Sequence, residues 1–295
     1  MHLRFIAQNG GLDDQMAGTK KAELNRSLRI LLRTETGRPY FIFNESLPLS
    51  VSKQNAFFIK EFDRLYKMML FEKSTLESFA NCNTITNGTE TDGTETDGTG
   101  KSVSLVAGID EAGRGPLAGP VVAAAIILPQ NSALPGVNDS KQLSPGEREK
   151  LSEELATIAD YGIGVVSPGQ IDEINILQAT YLAMQQAVAN LINQPQIILA
   201  DAVTIPGLDI PQKGIIKGDC LCVSIAAASI MAKVARDRIM AAYDRIYPQY
   251  GFAHNQGYGT KEHLAALAHY GPCPIHRVSF CRNVLNDTHD AQKNA

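Results

Sequence analysis

The sequence predicts an α/β fold for the C-terminal two thirds of the chain. From Val103 onward, short apolar runs of strand length alternate with longer amphipathic stretches of helical period, which is the pattern of an α/β domain. The chain has 295 residues, 44% of them hydrophobic, enough for one large domain or two modest ones. A polar stretch over residues 81–104, in which TETDG occurs twice, separates this region from the N-terminal part.

The first elements of the α/β region are a pair of strands and a helix. Val103–Asp110 and Pro120–Leu128 are apolar runs, and the glycine-rich EAGRGPLAG between them predicts a tight turn. Ser144–Ile158 opens with Ser, Pro and Glu, the signature of a capped helix start. Hydrophobic periodicity predicts the rest: strands at Tyr161–Val166, Gln196–Asp201 and Gly214–Lys217, and helices at Ile171–Ile192, from about Ser224 to Ile246, and from near Thr260.

The N-terminal region has a weaker pattern. Pro39–Phe43 predicts one short strand, and apolar residues at three- and four-residue steps from Gln54 to Phe71 predict one helix. The sequence assigns this region no function. We therefore divide the chain into an N-terminal extension (1–80), a low-complexity linker (81–104), the α/β domain (105–282) and a polar tail (283–295).

Composition excludes several classes of protein. The 27 Lys and Arg against 31 Asp and Glu give a net charge of −4, so the chain is not basic throughout, although this leaves local basic patches open. No apolar run approaches the roughly 18 residues of a membrane span, and the N-terminus lacks the charged-then-apolar pattern of a signal peptide. We expect a soluble, cytoplasmic monomer, with its five cysteines reduced.

Four carboxylates stand at or near the ends of predicted strands. Asp110 and Glu111 end the first strand, and Asp201 ends the buried strand QIILAD. Asp219 lies in KGDC, just before the alanine-rich helix. Each acid alone is more typical of a turn or a helix cap. Together they predict acids at one edge of a sheet, which repel one another unless a cation lies between them.

Carboxylate oxygens without partner His or Cys residues favour Mg²⁺ or Mn²⁺ over Zn²⁺. Two such ions a few ångströms apart form a site for phosphoryl transfer. Paired carboxylates also serve glycoside hydrolysis. The absence of Trp argues weakly against a sugar site, because it leaves few aromatic platforms.

The glycine-rich loop beside these acids does not have the pattern of a dinucleotide-binding turn. Gly113–Gly119 has the spacing G-x-G-x-x-x-G and precedes a predicted strand rather than a helix. The loop instead offers backbone that a polymer can approach closely, and one cation, Arg114, beside the acids. A hairpin turn with a solvated Arg114 explains this observation equally well.

The C-terminal third of the chain is locally basic. Residues 213–282 hold nine Lys and Arg against four acids, a balance suited to a phosphate backbone. For Arg236 and Arg238, a solvated helix face is at least as good an explanation as a phosphate contact. Tyr258 lies between two glycines, which favours an exposed ring that stacks on a sugar or base over a packed one.

Six motifs in a fixed order resemble bacterial ribonuclease HII. They extend from about Leu105 to Phe280 and read AGIDEAGRGPLAGPVVAAAIIL, NDSKQLS, ILADAV, KGDCLCVSIAAASIMAKVARD, GYGTKEHLAAL and HRVSF. The resemblance implies that 105–282 is a catalytic domain of ribonuclease H-like fold, a mixed central β-sheet flanked by helices with a helical C-terminal part. The implied substrates are RNA–DNA hybrids and duplex DNA with a single embedded ribonucleotide.

The resemblance also implies residue roles. The metal-binding and catalytic carboxylates would be Asp110, Glu111, Asp201 and Asp219, at a two-metal site for Mn²⁺ or Mg²⁺. The substrate-binding residues would be Gly113, Arg114 and Gly115 at the ribose 2′-hydroxyl, Tyr258 at the sugar on the 3′ side, and Lys141 of the Asp139-Ser140-Lys141 motif near the phosphates. The implied reaction is in-line attack of water on the phosphate 5′ to the ribonucleotide, which leaves 5′-phosphate and 3′-hydroxyl ends.

Two alternatives remain at this point. Ribonuclease HIII carries an N-terminal substrate-binding domain, but it has G-T-G where this chain has Gly113-Arg114-Gly115. A non-catalytic nucleic-acid-binding protein would depend on the basic C-terminal third and not on the acids, whose charges would hinder binding to a polyanion. The complete set of four acids favours a metal-dependent nuclease.

Overall fold

The computed structural model describes residues 30–33, 39–42, 64–78, 105–129, 132–133, 136–137 and 140–282. The predicted linker, the predicted tail and residues 54–63 of the predicted N-terminal helix lie outside these ranges.

The described strands form two sheets. A small antiparallel sheet has the order β1 (Ile30–Arg33), β2 (Pro39–Ile42) and β5 (Ser132–Ala133). The central sheet consists of β3 (Val106–Ala112), β4 (Val121–Ile127), β6 (Asp160–Val166), β7 (Ile197–Asp201) and β8 (Gln212–Ile215). Its order is β6-β4-β3-β7-β8, with antiparallel pairing from β6 to β3 and parallel pairing from β3 to β8. This is the mixed sheet that the resemblance implies.

Helices cover both faces of the central sheet. They are α1 (residues 64–78), α2 (Pro145–Ile158), α3 (Pro168–Ala189), α4 (Gly218–Leu221), α5 (Val223–Ile246), α6 (Phe252–Asn255), α7 (Lys261–Tyr270) and α8 (residues 278–282). Short 3₁₀ turns occur at Ser140–Gln142 and Pro248–Tyr250.

Strand β4 lies between two hydrophobic cores. Its residues are all buried, and successive side chains of a strand point to opposite faces. Ala124 and Ile126 pack in the core under α2 and α5, whereas Ala123 and Ala125 pack in the core under α3. This double burial explains why β4 reads as a continuous apolar run rather than an alternating one.

The predicted strands and helices of the α/β domain are confirmed, with ends that shift by a few residues. Helices α2 and α3 each begin with a capping box, Ser144 with Glu147 and Ser167 with Gln170. Helix α3 contains a kink at Asn175, whose φ is 66°. The Asn175 side-chain oxygen accepts the backbone N–H groups of the following turn at 2.9 and 3.2 Å, so it caps the second part of the helix.

Helix α1 of the predicted extension packs on the α/β domain. It continues beyond Phe71 to residue 78. Leu65 and Met68 are buried in the core that contains α2 and α5, and the Arg64 guanidinium donates to the Val137 carbonyl at 2.5 Å. Strand β2 of the extension also pairs with β5, which lies within the domain.

Candidate active site

Three aspartates meet at one edge of the central sheet. Asp110 and Asp201 lie on neighbouring parallel strands, and the residues just before them, Ile109 and Ala200, are paired in register. Asp219 lies in α4, which follows β8. One carboxylate oxygen of each aspartate lies within 4.8 Å of those of the other two. Parallel pairing of β3, β7 and β8 thus brings together acids that are far apart in the sequence.

Burial makes this cluster electrostatically costly. Asp110 is only 6% exposed. Burial raises the pKa of Asp110 well above its ordinary range, and the charges of Glu111 and Asp201 raise it further. Two hydrogen bonds oppose the shift, from the Glu111 N–H at 2.7 Å and from the Ser229 hydroxyl. Within the described residues, the cation at this cluster is Lys141, whose Nζ lies 3.4 Å from Asp219 Oδ2.

The donor set fits a hard divalent cation. All three converging ligands are carboxylates, the donors that Mg²⁺ and Mn²⁺ prefer. Burial and the charges of Glu111 and Asp201 raise the pKa of Asp110, the direction expected where carboxylates crowd together. A divalent cation between the carboxylates would remove this repulsion.

Glu111 does not join the three converging aspartates. Its carboxylate accepts from Arg114 Nη1 at 3.2 Å. Burial raises the pKa of Glu111, the Arg114 charge lowers it, and the nearby Asp201 charge raises it. The ion pair with Arg114 and the influence of the Asp201 charge place the Glu111 carboxylate at the border of the site, on the side of the glycine-rich loop.

The predicted substrate-binding residues form a surface next to the acids. Gly113 has φ of 95°, a conformation that favours glycine, and Arg114 and Gly115 are exposed. Tyr258 is 48% exposed, and a Cβ added to Gly115 would lie 3.7 Å from its ring. The structure therefore brings the loop at 113–115 together with the exposed tyrosine.

Lys141 extends from a turn whose neighbouring residue, Ser140, is held by hydrogen bonds. The Ser140 hydroxyl is buried and lies 2.7 Å from the Ser229 hydroxyl, to which it can donate while Ser229 donates to Asp110. Arg148 donates to the Ser140 carbonyl at 2.9 Å. Lys141 itself is exposed, while Asp139 lies outside the described residues.

Sequence reasoning missed four buried groups below this surface. Arg236, interpreted above as a solvated or phosphate-binding residue, is 1% exposed, and Arg277 is fully buried. His263 and His276 are 0% and 3% exposed. The one sequence signal for Arg236 is its position among the small apolar residues of the alanine-rich helix.

No helix in the described part of the chain is both long and apolar enough to cross a membrane.

Comparison with known proteins identifies the family. The model of the ribonuclease HII family matches residues 107–283. Ribonuclease HII of Clostridioides difficile (strain 630) is 55% identical over 186 residues, which are 63% of this chain and 73% of that protein. Ribonuclease HII of Desulfitobacterium hafniense (strain DSM 10664 / DCB-2) is 59% identical over 176 residues, 59% of this chain and 68% of that protein.

A solved structure agrees with the sequence comparisons. The crystal structure of ribonuclease H2 from Pyrococcus horikoshii OT3 aligns with a TM-score of 0.52 and 31% identity, over 62% of this chain and 98% of that one. The central sheet and its helices therefore form a ribonuclease H-like fold. The chain belongs to the ribonuclease HII family, the type 2 ribonucleases H that cleave the RNA of RNA–DNA hybrids and single ribonucleotides embedded in DNA.

Proposed function

We propose that the acidic cluster holds the two divalent cations, Mn²⁺ or Mg²⁺, that this cleavage requires. Asp110, Asp201 and Asp219 would be shared ligands, and Glu111 would complete the set from the side of the loop. The observation that carries the proposal is the convergence of three carboxylate oxygens within 4.8 Å. Bound cations of this kind supply a water of lowered pKa and charge stabilisation at the attacking and leaving oxygens.

The loop and the tyrosine would select the nucleotide to be cut. The 2′-hydroxyl is the group that distinguishes RNA from DNA at one nucleotide. Exposed Gly115 leaves backbone open to a ribose, and the exposed Tyr258 ring beside it offers a face for the next sugar. The ion pair between Glu111 and Arg114 connects this loop to the acids. We place the cut on the 5′ side of the ribonucleotide, with 5′-phosphate and 3′-hydroxyl products.

Lys141 would contact a substrate phosphate. Its exposed ammonium lies 3.4 Å from a carboxylate oxygen of Asp219, so a phosphate held at the acidic cluster would come within its reach. An ammonium on a flexible stem binds phosphate as a point charge.

The test is cleavage of a labelled DNA duplex that contains one ribonucleotide, with Mg²⁺ or Mn²⁺. An all-DNA duplex and the Asp110→Asn variant serve as controls. We expect one cut on the 5′ side of the ribonucleotide, and none with either control. Absence of a cut with both cations, by a folded protein that binds the duplex, would overturn the proposal and favour a binding-only role.

A further inference from the structure

Two buried arginines lie beneath the surface formed by the loop and Tyr258. Arg236 is on α5 and Arg277 precedes α8, and both are essentially inaccessible to solvent. Among the described residues, neither guanidinium has a carboxylate within ion-pairing distance. A buried charge without a partner is costly, so other groups must stabilise these two.

Backbone carbonyls take this role. Arg277 donates to Gly119 at 2.9 Å, Arg114 at 2.8 Å and Gly113 at 2.5 Å. Arg236 donates to Pro120 at 3.0 Å, Ala118 at 3.1 Å and Gln256 at 3.0 Å. Five of the six carbonyls thus belong to the loop between β3 and β4, the same loop that contains the glycines at 113 and 115.

The two arginines also join the loop to the segment that carries the tyrosine. Arg236 bonds both Ala118 and Gln256, and Gln256 is two residues before Tyr258. The Gly257 carbonyl accepts the N–H groups of Leu117 and Ala118 at 2.9 and 3.3 Å. Arg236 and the Gly257 carbonyl thus both link the segment of Tyr258 to the loop that contains Gly115.

The approach is close enough to require glycine in the loop. A Cβ at Gly113 would lie 2.0 Å from Arg236 Nε, and one at Gly119 would lie 3.2 Å from its Nη2. Only arginine presents several N–H groups in a fixed planar fork. A lysine would offer a single ammonium to three carbonyls that point from different directions.

We propose that Arg236 and Arg277 are positioning residues that hold the loop and Tyr258 in the geometry that recognises a ribonucleotide. The proposal rests on the recognition role proposed above for that surface. Neither arginine contacts the substrate. They act through the backbone of residues 113–120 and 256–258, so they affect selection of the ribonucleotide and not cation binding at the acids.

The experiment compares Arg277→Lys and Arg236→Lys with wild type and with Arg238→Lys. Arg238 is a matched control on the same helix, where it is exposed and paired with Glu149. Two quantities are measured on proteins shown by circular dichroism to be folded. The first is the ratio of affinities for a duplex with one ribonucleotide and an all-DNA duplex, measured with Ca²⁺ in place of the catalytic cation. The second is the affinity for Mn²⁺ alone.

We expect each buried-site variant to lower the affinity ratio roughly tenfold, because a displaced loop would lose about one hydrogen bond to the ribose 2′-hydroxyl. The KM for the single-ribonucleotide duplex should rise with it. The affinity for Mn²⁺ and the behaviour of Arg238→Lys should remain those of wild type.

An affinity ratio equal to that of wild type in either folded variant would overturn the assignment for that arginine. Failure of both lysine variants to fold would also overturn it, because the arginines would then serve the fold as a whole. If wild type itself does not prefer the ribonucleotide duplex, the proposed recognition role of the surface fails instead. The wild-type affinity ratio thus distinguishes failure of the recognition role from failure of the arginine assignment.

Discussion

Asp110 illustrates how a single residue is held in a state that costs stability. Its carboxylate is buried beside two other acids, which raises its pKa well above the ordinary range. A carboxyl whose pKa is raised on folding destabilises the folded protein at neutral pH, where the unfolded chain is ionised at lower cost. The buried acids therefore lower the stability of the protein without a bound cation, and a bound cation would offset this cost.

We expect Asp110→Asn to raise the melting temperature in EDTA at pH 7, because the variant removes the buried charge and keeps an oxygen for the Glu111 N–H. The same variant should lose cleavage and show a smaller rise in melting temperature than wild type when Mn²⁺ is added. Thermal denaturation with and without Mn²⁺ measures both effects. A lower melting temperature in EDTA would contradict this account of the cluster.

His276 is part of a buried chain of hydrogen bonds that supports the tyrosine segment. His263 Nδ1 lies 2.8 Å from the Tyr258 carbonyl and must donate, because a carbonyl only accepts. His263 Nε2 then accepts from His276 Nε2 at 3.0 Å, and His276 Nδ1 accepts the Cys273 N–H at 2.9 Å. Both rings are neutral in this arrangement, and a further proton on either would break it.

The free energy of unfolding should decrease as the pH falls from about 6.5 to about 4. Burial, and then repulsion from any proton on the neighbouring His263, lower the pKa of His276 to about 4. Between these values the unfolded chain takes up a proton that the folded protein does not, which costs on the order of 3 kcal/mol at pH 4. The other titratable groups around the ring are His263, Cys273 and Tyr250, of which only His263 ordinarily titrates in this range.

Urea unfolding of wild type and His276→Gln across this pH range tests the prediction. Glutamine keeps a donor toward His263 but does not titrate. We expect the wild-type curve to be the steeper of the two, by up to about 1.4 kcal/mol per pH unit. Parallel curves would show that His276 is not held neutral.

At the scale of elements, a side chain of helix α1 caps the N-terminus of helix α5. The N-cap of α5, Cys222, makes no side-chain capping bond. The Glu72 carboxylate of α1 accepts from the Ser224 N–H at 3.1 Å and from the Ser224 hydroxyl at 3.0 Å. This start of α5 lies directly against β3, where a Cβ on Gly108 would be 2.2 Å from the Ser224 carbonyl carbon. The N-terminal extension thus stabilises a helix that borders the acidic site.

We expect Glu72→Ala to destabilise the protein by about 1–2 kcal/mol, the usual cost of a lost helix cap. Glu72→Gln should stay within about 0.5 kcal/mol of wild type, since it retains an acceptor and avoids a carboxylate whose pKa burial has raised. Glu77→Ala, at an exposed position of α1, is the control. If denaturant unfolding gives Glu72→Ala the same free energy of unfolding as Glu77→Ala, the capping role is excluded.

At the scale of the whole molecule, the basic C-terminal third is less available to a phosphate backbone than its composition indicates. Of its nine cations, Arg236 and Arg277 are buried. Lys233 is paired with Asp237, and Arg238 with Glu149. The remaining five are at least partly exposed: Lys213, Lys217, Arg245, Lys261 and Arg282. Substrate affinity should therefore rest on a few phosphate contacts, with selection made by the loop and Tyr258.

The salt dependence of duplex binding tests this distribution. Release of about 0.9 counterion for each contact by these five cations and Lys141 predicts a log–log slope of about −5 or shallower. Lys261→Gln should reduce the slope by about one if that lysine contacts a phosphate. Titration of the duplex at several salt concentrations measures the slope, and a value near −10 would require contacts that these residues do not provide.

The sequence by itself determined the order of strands and helices, the capped helix starts and the acids at strand ends. These features depend on local periodicity, or on residues within three or four positions of one another, as in the capping box of Ser144 and Glu147. The ribonuclease HII motifs are equally local.

Only the tertiary structure decided which charged residues are buried and what they hold. The partners of Arg277 are backbone carbonyls more than 150 residues away, and Glu72 meets Ser224 across 152 positions. A backbone carbonyl has no signature in the sequence, because every residue has one. Whether such a carbonyl can accept from a buried guanidinium depends on the path of the loop as it leaves the sheet. The placement of Arg236 and Arg277 under the loop is therefore a property of the folded protein and not of the local sequence.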